Sequence, residues 1–122
     1  MRTIKFRGQT NSGKWVYGSL IDDGVELVII REMYVRPHLA QEWQVNPYTV
    51  GQFTGELDRN GKEIYEGDFF KLGSDKDIYE VRFEHGCFLA YKKDKQFGLV
   101  GELKNIFLLI IGNIHEQKEE QK

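Results

Sequence analysis

The sequence is poor in the residues that staple small proteins together. Its 122 residues include one cysteine, Cys87, and two prolines, Pro37 and Pro47. A single thiol excludes an internal disulfide framework and a Cys-rich zinc site, and it fits a reducing, cytoplasmic setting. Positive charge is not in excess: 17 Lys and Arg stand against 19 Asp and Glu. That balance argues against strong non-specific binding to a polyanion, which rests on cations neutralising phosphates, but it leaves room for a local basic patch. Long apolar runs are missing as well. The longest, "IFLLII" at 106–111, is too short to span a bilayer and reads as a buried strand. The opening "MRTIKFRGQT" has no apolar region of the kind a secretory leader needs. Nothing here calls for a membrane partner. A Walker loop, a G-x-G-x-x-G turn and a G-x-S-x-G elbow are all absent, and "GQTNSGK" at 8–14 lacks the phosphate-loop spacing.

What the chain does have is glycine and aromatic residues: 13 Gly, eight Phe, six Tyr and two Trp. Aromatics favour half-buried pleated surfaces, and the turn signals fall at the spacing of strands. "TIKFRGQ" at 3–9 alternates Ile4 and Phe6 with Lys5 and Arg7, the period of a half-buried strand. The "NSGK" and "DDG" turns separate it from strands at 15–21 and 25–31, giving an N-terminal β-meander. Residues 32–46, bracketed by Pro37 and Pro47, read as a loop with short strands. Further strands are expected at 49–55, 68–73, 77–86, 87–93, 97–103 and 105–115. The expected fold is all-β and antiparallel, a small barrel or sandwich, with the meander followed by a barrel-like C-terminal half. No linker is visible, so residues 1–116 are expected to form one domain, with 117–122 a polar, flexible tail.

The most pointed stretch is "TGELDRNGKEIYEGDFF" at 54–70, with Asp58, Glu63, Glu66 and Asp68 around Asn60-Gly61. A calcium loop of the EF-hand type needs a different spacing after the glycine, and helical flanks. A catalytic carboxylate pair needs one carboxyl in an apolar pocket with a raised pKa, whereas Asp58 and Glu63 flank a turn, where water is plentiful. A structural turn explains the stretch more simply. Asn-Gly accepts positive φ at both positions, Asp58 can bond back to the turn backbone, and Glu66-Gly67-Asp68 makes a second tight turn. Glu63 and Glu66 are expected to face water.

The longer segment "TVGQFTGELDRNGKEIYEGDFF" at 49–70 resembles the signature of the YopX family, small proteins found mostly in bacteriophages and prophages. The matching positions are Thr49, Val50, Gly51, Gln52, Phe53, Thr54, Gly55, Asp58, Asn60, Gly61, Glu63, Ile64, Tyr65, Glu66, Gly67 and Asp68. "IKFRG" with "GKWVYGSL", "VRFEHGCF" and "IGNIHE" extend the resemblance over nearly the whole chain. His85 stands where Asn is common and Asn46 where Asp is usual. After Glu116 the chain departs with Gln117-Lys118-Glu119. The resemblance implies a mainly β fold with barrel-like character and a phage or prophage origin inside a bacterial cell. It carries over no activity, ligand or catalytic residue.

Three other constellations bear on function. His38, His85, His115 and Cys87 invite a metal reading, but no second ligand pair has suitable spacing, so no metal and no cofactor is expected. Arg82, Tyr91, Lys92, Lys93 and Lys95 could offer cations beside an aromatic ring to single-stranded nucleic acid, although Asp75, Asp77 and Asp94 dilute the charge. Trp15, Tyr17, Trp43 and Tyr48 are of the type enriched in interfaces. The expected function is therefore binding rather than catalysis: self-association and an unidentified phage or host protein as partner. A nucleic-acid-binding module is the alternative. A hydrolase using Asp58, Glu63, Glu66 or Asp68 is a third.

Overall fold

The computed structural model of the chain describes residues 3–33, 39–103 and 105–116. It is all-β, with two five-stranded antiparallel sheets. Two compact units divide it, the first ending at Phe53 and the second beginning at Thr54. The sequence shows no linker there because the boundary lies inside a strand. Each unit closes a hydrophobic cluster of its own. The tail at 117–122 and His38 lie outside the described residues.

In the first unit β1 (Phe6–Gln9), β2 (Trp15–Asp22) and β3 (Leu27–Met33) follow one another as the expected meander, and β4 (Leu39–Leu57) comes next and runs on into the second unit. β1 also pairs with β4, so this sheet is partly ring-like. Ring character therefore lies in the N-terminal half, where the 19-residue β4 is long enough to pair with both β3 and β1. Val16, Ile29 and Val45 form the buried centre, with Phe6, Leu20, Leu27, Trp43 and Val50 packed around it.

The region 32–46 differs from the expected loop. β3 continues to Met33, and β4 begins at Leu39 and runs for 19 residues. Pro47 sits within β4, at the point where the β1–β4 register slips between Arg7↔Gly51 and Gln9↔Asn46. Proline is tolerated in a sheet at such a bulge because no ladder donor is needed there. Thr49 replaces the missing backbone bonds. Its Oγ1 accepts from Gln9 N–H at 2.8 Å and donates to the Asn46 carbonyl at 2.6 Å. The bulge also turns Tyr48 outward, where it is 89% exposed.

The second unit contains β5 (Glu63–Tyr65), β6 (Asp68–Leu72), β7 (Tyr79–Glu84), β8 (Cys87–Lys92), β9 (Lys95–Leu99) and β10 (Leu108–Asn113). Its sheet is open, in the order β10-β6-β7-β8-β9. β5 is too short to show a period in the sequence. The expected strands at 97–103 and 105–115 are shortened by 3-10 turns at Val100–Glu102 and Asn105–Phe107. Val100 leaves the sheet there to bury itself in the core with Ile64, Phe70, Tyr79, Val81, Ala90, Leu108 and Ile110. The β7–β8 and β8–β9 hairpins turn through two residues each, both with positive φ: His85 and Gly86, then Lys93 and Asp94. These are the mirror-image turns whose twist matches that of the strands.

Gly18 marks a tight approach in the first unit. A Cβ there would lie 2.3 Å from the Ile30 carbonyl oxygen, and a backbone atom cannot move aside as a side chain can. Gly18→Ala should therefore destabilise the first unit by about 2–3 kcal/mol. Both tryptophans, Trp15 and Trp43, lie in that unit, so urea unfolding followed by Trp fluorescence reads it directly. Gly98→Ala, where a Cβ meets nothing within 4 Å, should leave the Trp transition unchanged. A Gly18→Ala midpoint equal to that of the wild type would refute the packing argument.

Candidate functional site

The 54–70 stretch lies wholly in the second unit, and the carboxylates of Asp58 and Asp68 bond to backbone amides. The turn after β4 is closed by Asp58 N–H to the Lys62 carbonyl (2.8 Å) and Gly61 N–H to the Asp58 carbonyl (3.0 Å). Of Asn60 and Gly61, only Gly61 has positive φ (80°). The expected two-residue mirror-image turn is thus a three-residue loop, a type I turn followed by a glycine bulge. The cause is the Asp58 carboxylate. Its Oδ1 accepts from Asn60 N–H (2.8 Å) and Lys62 N–H (2.9 Å), which fixes the type I form. Its Oδ2 accepts from Ile110 N–H at 3.2 Å, 52 residues away in β10. Arg59 N–H donates to the Leu108 carbonyl at 2.9 Å beside it.

Asp58 was expected beside water but is only 3% exposed. Burial alone would raise its carboxyl pKa. The N–H groups of Lys62, Ile110 and Asn60 outweigh that and hold it below the ordinary aspartate value. A carboxyl that acts as a general acid needs the opposite shift.

The second turn behaves likewise. Asp68, 1% exposed, accepts from Tyr65 N–H at 2.8 Å. Gly67, with φ of 95°, donates to the Val81 carbonyl (2.8 Å) and accepts from Ile114 N–H (2.9 Å). The turn thereby ties β7 to the end of β10. Glu63 and Glu66 are half-buried rather than fully solvated, and Glu63 accepts from the Tyr65 hydroxyl at 2.9 Å. Upstream, Gly51 is buried opposite Arg7 and Gln52 pairs with Phe6. Thr54 accepts from Glu56 N–H, and Gly55 bends the strand with φ of 90°.

The basic hairpin is internally neutralised. Arg82 lies between Glu80 (3.2 Å) and Asp94 (2.5 Å), and its bonds to Asp94 and Glu80 strengthen its hold on the proton. The same guanidinium covers the Tyr91 ring at 4.4 Å. Tyr91 is buried, and its hydroxyl donates to Glu84. Lys92 pairs with Asp77 at 2.5 Å. Only Lys93 and Lys95 of the five are exposed, the Tyr91 ring is covered, and the exposed ring beside the lysines is Phe97. Sequence reasoning saw the dilution by Asp77 and Asp94 but not the covered tyrosine.

The interface aromatics separate. Trp15, Tyr17 and Trp43 line one groove of about 600 Å³ in the first unit, while Tyr48 does not line it. Lys5, Lys14, Arg31 and Gln41 share that groove, and the sequence analysis did not single them out. Register was the missing signal: Arg31 pairs with Gln41, and Ile29 with Trp43. In the second unit an apolar cleft of about 380 Å³ is lined by Leu72, Phe97, Leu103 and Phe107, which the sequence analysis also passed over. His85 lies in a turn rather than a strand, and the Cys87 thiol donates to the Glu84 carbonyl at 3.4 Å. No group of three His, Cys, Asp or Glu residues that could hold a metal occurs among the described residues. No helix among them is long and apolar enough to cross a membrane.

Two antiparallel sheets, with a motif that fixes turns and strand register, define a small all-β class. The family described as YopX protein matches over residues 5–120, so the chain belongs to the YopX family. Comparison with curated proteins finds no match. Among solved structures, the crystal structure of protein EF1440 from Enterococcus faecalis is similar, with 24% identity, full coverage of both chains and a TM-score of 0.64. That likeness concerns the fold.

Asp58→Asn places an NH2 group against backbone N–H donors and should cost about 2–3 kcal/mol at neutral pH. The folded-state pKa of Asp58 is depressed below its ordinary 3.8. Its contribution is therefore complete above that value and disappears as pH falls through the folded value. Urea midpoints of wild type and Asp58→Asn should differ at pH 7 and converge as pH falls below about 4. An equal gap at both pH values would contradict the ionised-cap account.

Proposed function

We propose that this chain is a phage- or prophage-encoded accessory protein that works by binding inside the bacterial cell, rather than by catalysis. It associates with itself through the second unit and engages a phage or host protein. The observation that carries this reading is the edge of the open sheet. β9 is an edge strand, and Phe97 and Leu99 on it are 51% and 39% exposed. Phe97 packs on Tyr79 at 4.8 Å and forms one wall of the apolar cleft with Leu72, Leu103 and Phe107. An apolar edge with unsatisfied backbone groups is a template for another strand, and a neighbouring apolar cleft offers the side-chain pocket that makes such pairing specific. A second copy of the chain supplies both.

The hydrolase alternative gains less support. Asp58 and Asp68 bond to backbone amides in the interior, and Asp58 is held ionised. The nucleic-acid reading at Arg82, Tyr91, Lys92, Lys93 and Lys95 is weakened by the ion pairs there.

Light scattering on the purified protein at micromolar concentration should show a dimer or larger species. Phe97→Asp and Phe107→Asp should each weaken association by about a hundredfold, in the range of interface anchors, with unchanged circular dichroism. A monomeric wild type, or variants that associate as well as the wild type, would remove the self-association reading.

A further inference from the structure

The open sheet of the second unit has two edges, and they differ. At β10 the turn around Asp58 takes up edge groups: the Leu108 carbonyl accepts from Arg59 N–H, and Ile110 N–H donates to Asp58. Ile114 N–H, just past the strand, donates to the Gly67 carbonyl. At β9, residues 95–99 pair with β8, and among the described residues nothing bonds to their outward groups. One edge is engaged and the other is open. A head-to-tail contact needs two different edges and can grow into a filament. Pairing through β9 alone uses the same surface on both copies, which closes.

The charges along that edge are unlike at its two ends. Lys93 and Lys95 precede Phe97, are exposed, and share with it a hollow of about 340 Å³. Past Phe97 the one charge among residues 99–103 is Glu102, exposed and lining the apolar cleft to which Phe97 also belongs. No ion pair engages Lys93, Lys95 or Glu102 among the described residues. The other charges of the hairpin are committed, Asp94 to Arg82 and Lys92 to Asp77. The edge therefore runs from basic, through an exposed phenylalanine, to acidic.

Resting on the self-association proposed above, we infer that two copies pair β9 with β9, antiparallel, about a two-fold axis near Phe97. The product is a closed dimer with one continuous sheet, five strands from each copy. The axis sets Lys95 opposite Leu99 of the second copy and carries Lys93 towards its Glu102, and symmetry repeats both contacts. Phe97 meets its own counterpart at the centre. A parallel two-fold contact would set lysine against lysine and N–H against N–H. Lysine on an edge strand guards against indiscriminate pairing. Here it penalises every arrangement that aligns the basic ends and favours the one that brings them to Glu102.

Disulfide mapping tests the pairing in a Cys87→Ser background, which keeps a donor for the Glu84 carbonyl. The double variant Lys95→Cys/Leu99→Cys should oxidise to a covalent dimer. Lys95→Cys or Leu99→Cys alone should not. A second measurement leaves the strand free of cysteine. Lys93→Glu and Glu102→Lys should each weaken the dimer by roughly 5- to 30-fold, the scale of one or two exposed ion pairs. The two together should restore it. Light scattering of the wild type should level off at the dimer as concentration rises. A monomeric wild type would remove the self-association reading and this pairing with it. Association in which the single-cysteine variants crosslink, in which growth continues past the dimer, or in which the double charge reversal fails to restore affinity would overturn the antiparallel pairing alone.

Discussion

The second unit depends on one carboxylate. Asp58 accepts two N–H groups from its own turn and a third from Ile110. A single side chain therefore sets the shape of a local loop and anchors it to the closing strand, 52 residues on. Beside it, Gly67 ties the next turn to β7 and to the residue after β10. Charge-assisted bonds to backbone donors are the stronger kind, and buried donors left unmatched are costly. Loss of that carboxylate would leave three amides without an acceptor at once.

The same arrangement explains why a motif dense in acids need carry no chemistry. Glycine is required where the turns take positive φ, at Gly61 and Gly67. Aspartate is required where a turn lacks acceptors, at positions 58 and 68. Both demands arise from backbone geometry. The carboxylate oxygens point at amides, and one of the two carboxyls has its pKa pushed down, whereas proton-transfer chemistry calls for carboxyls pushed apart.

The two surfaces that stand out are unlike each other. The groove of the first unit combines indoles, a phenol and cations. The cleft of the second is lined mainly by leucine and phenylalanine beside an edge strand. In the second unit, the Arg82 hairpin shows how misleading a basic run can be. Arg82 and Lys92 there face carboxylates from β7, from the β8–β9 turn and from Asp77, and Tyr91 is covered.

Local pattern was enough for the antiparallel β class, for the meander of β1 to β3 and for the hairpins at His85-Gly86 and Lys93-Asp94. Each of these follows from period-two alternation and turn residues within a few positions of one another. The long β4 was hidden because Pro47 is read locally as a breaker, and only the pairing with β1 supplies the bulge that accommodates it. β5 was hidden because three residues carry no period. The burial of Asp58, the neutralisation of Arg82 and the meeting of Lys14, Arg31 and Trp43 each join residues far apart in the chain. Composition and spacing thus determined the kind of structure this is. Which charges are exposed, and which rings and cations share a groove, was decided by strand register, because a side chain's neighbours in a sheet come from other strands.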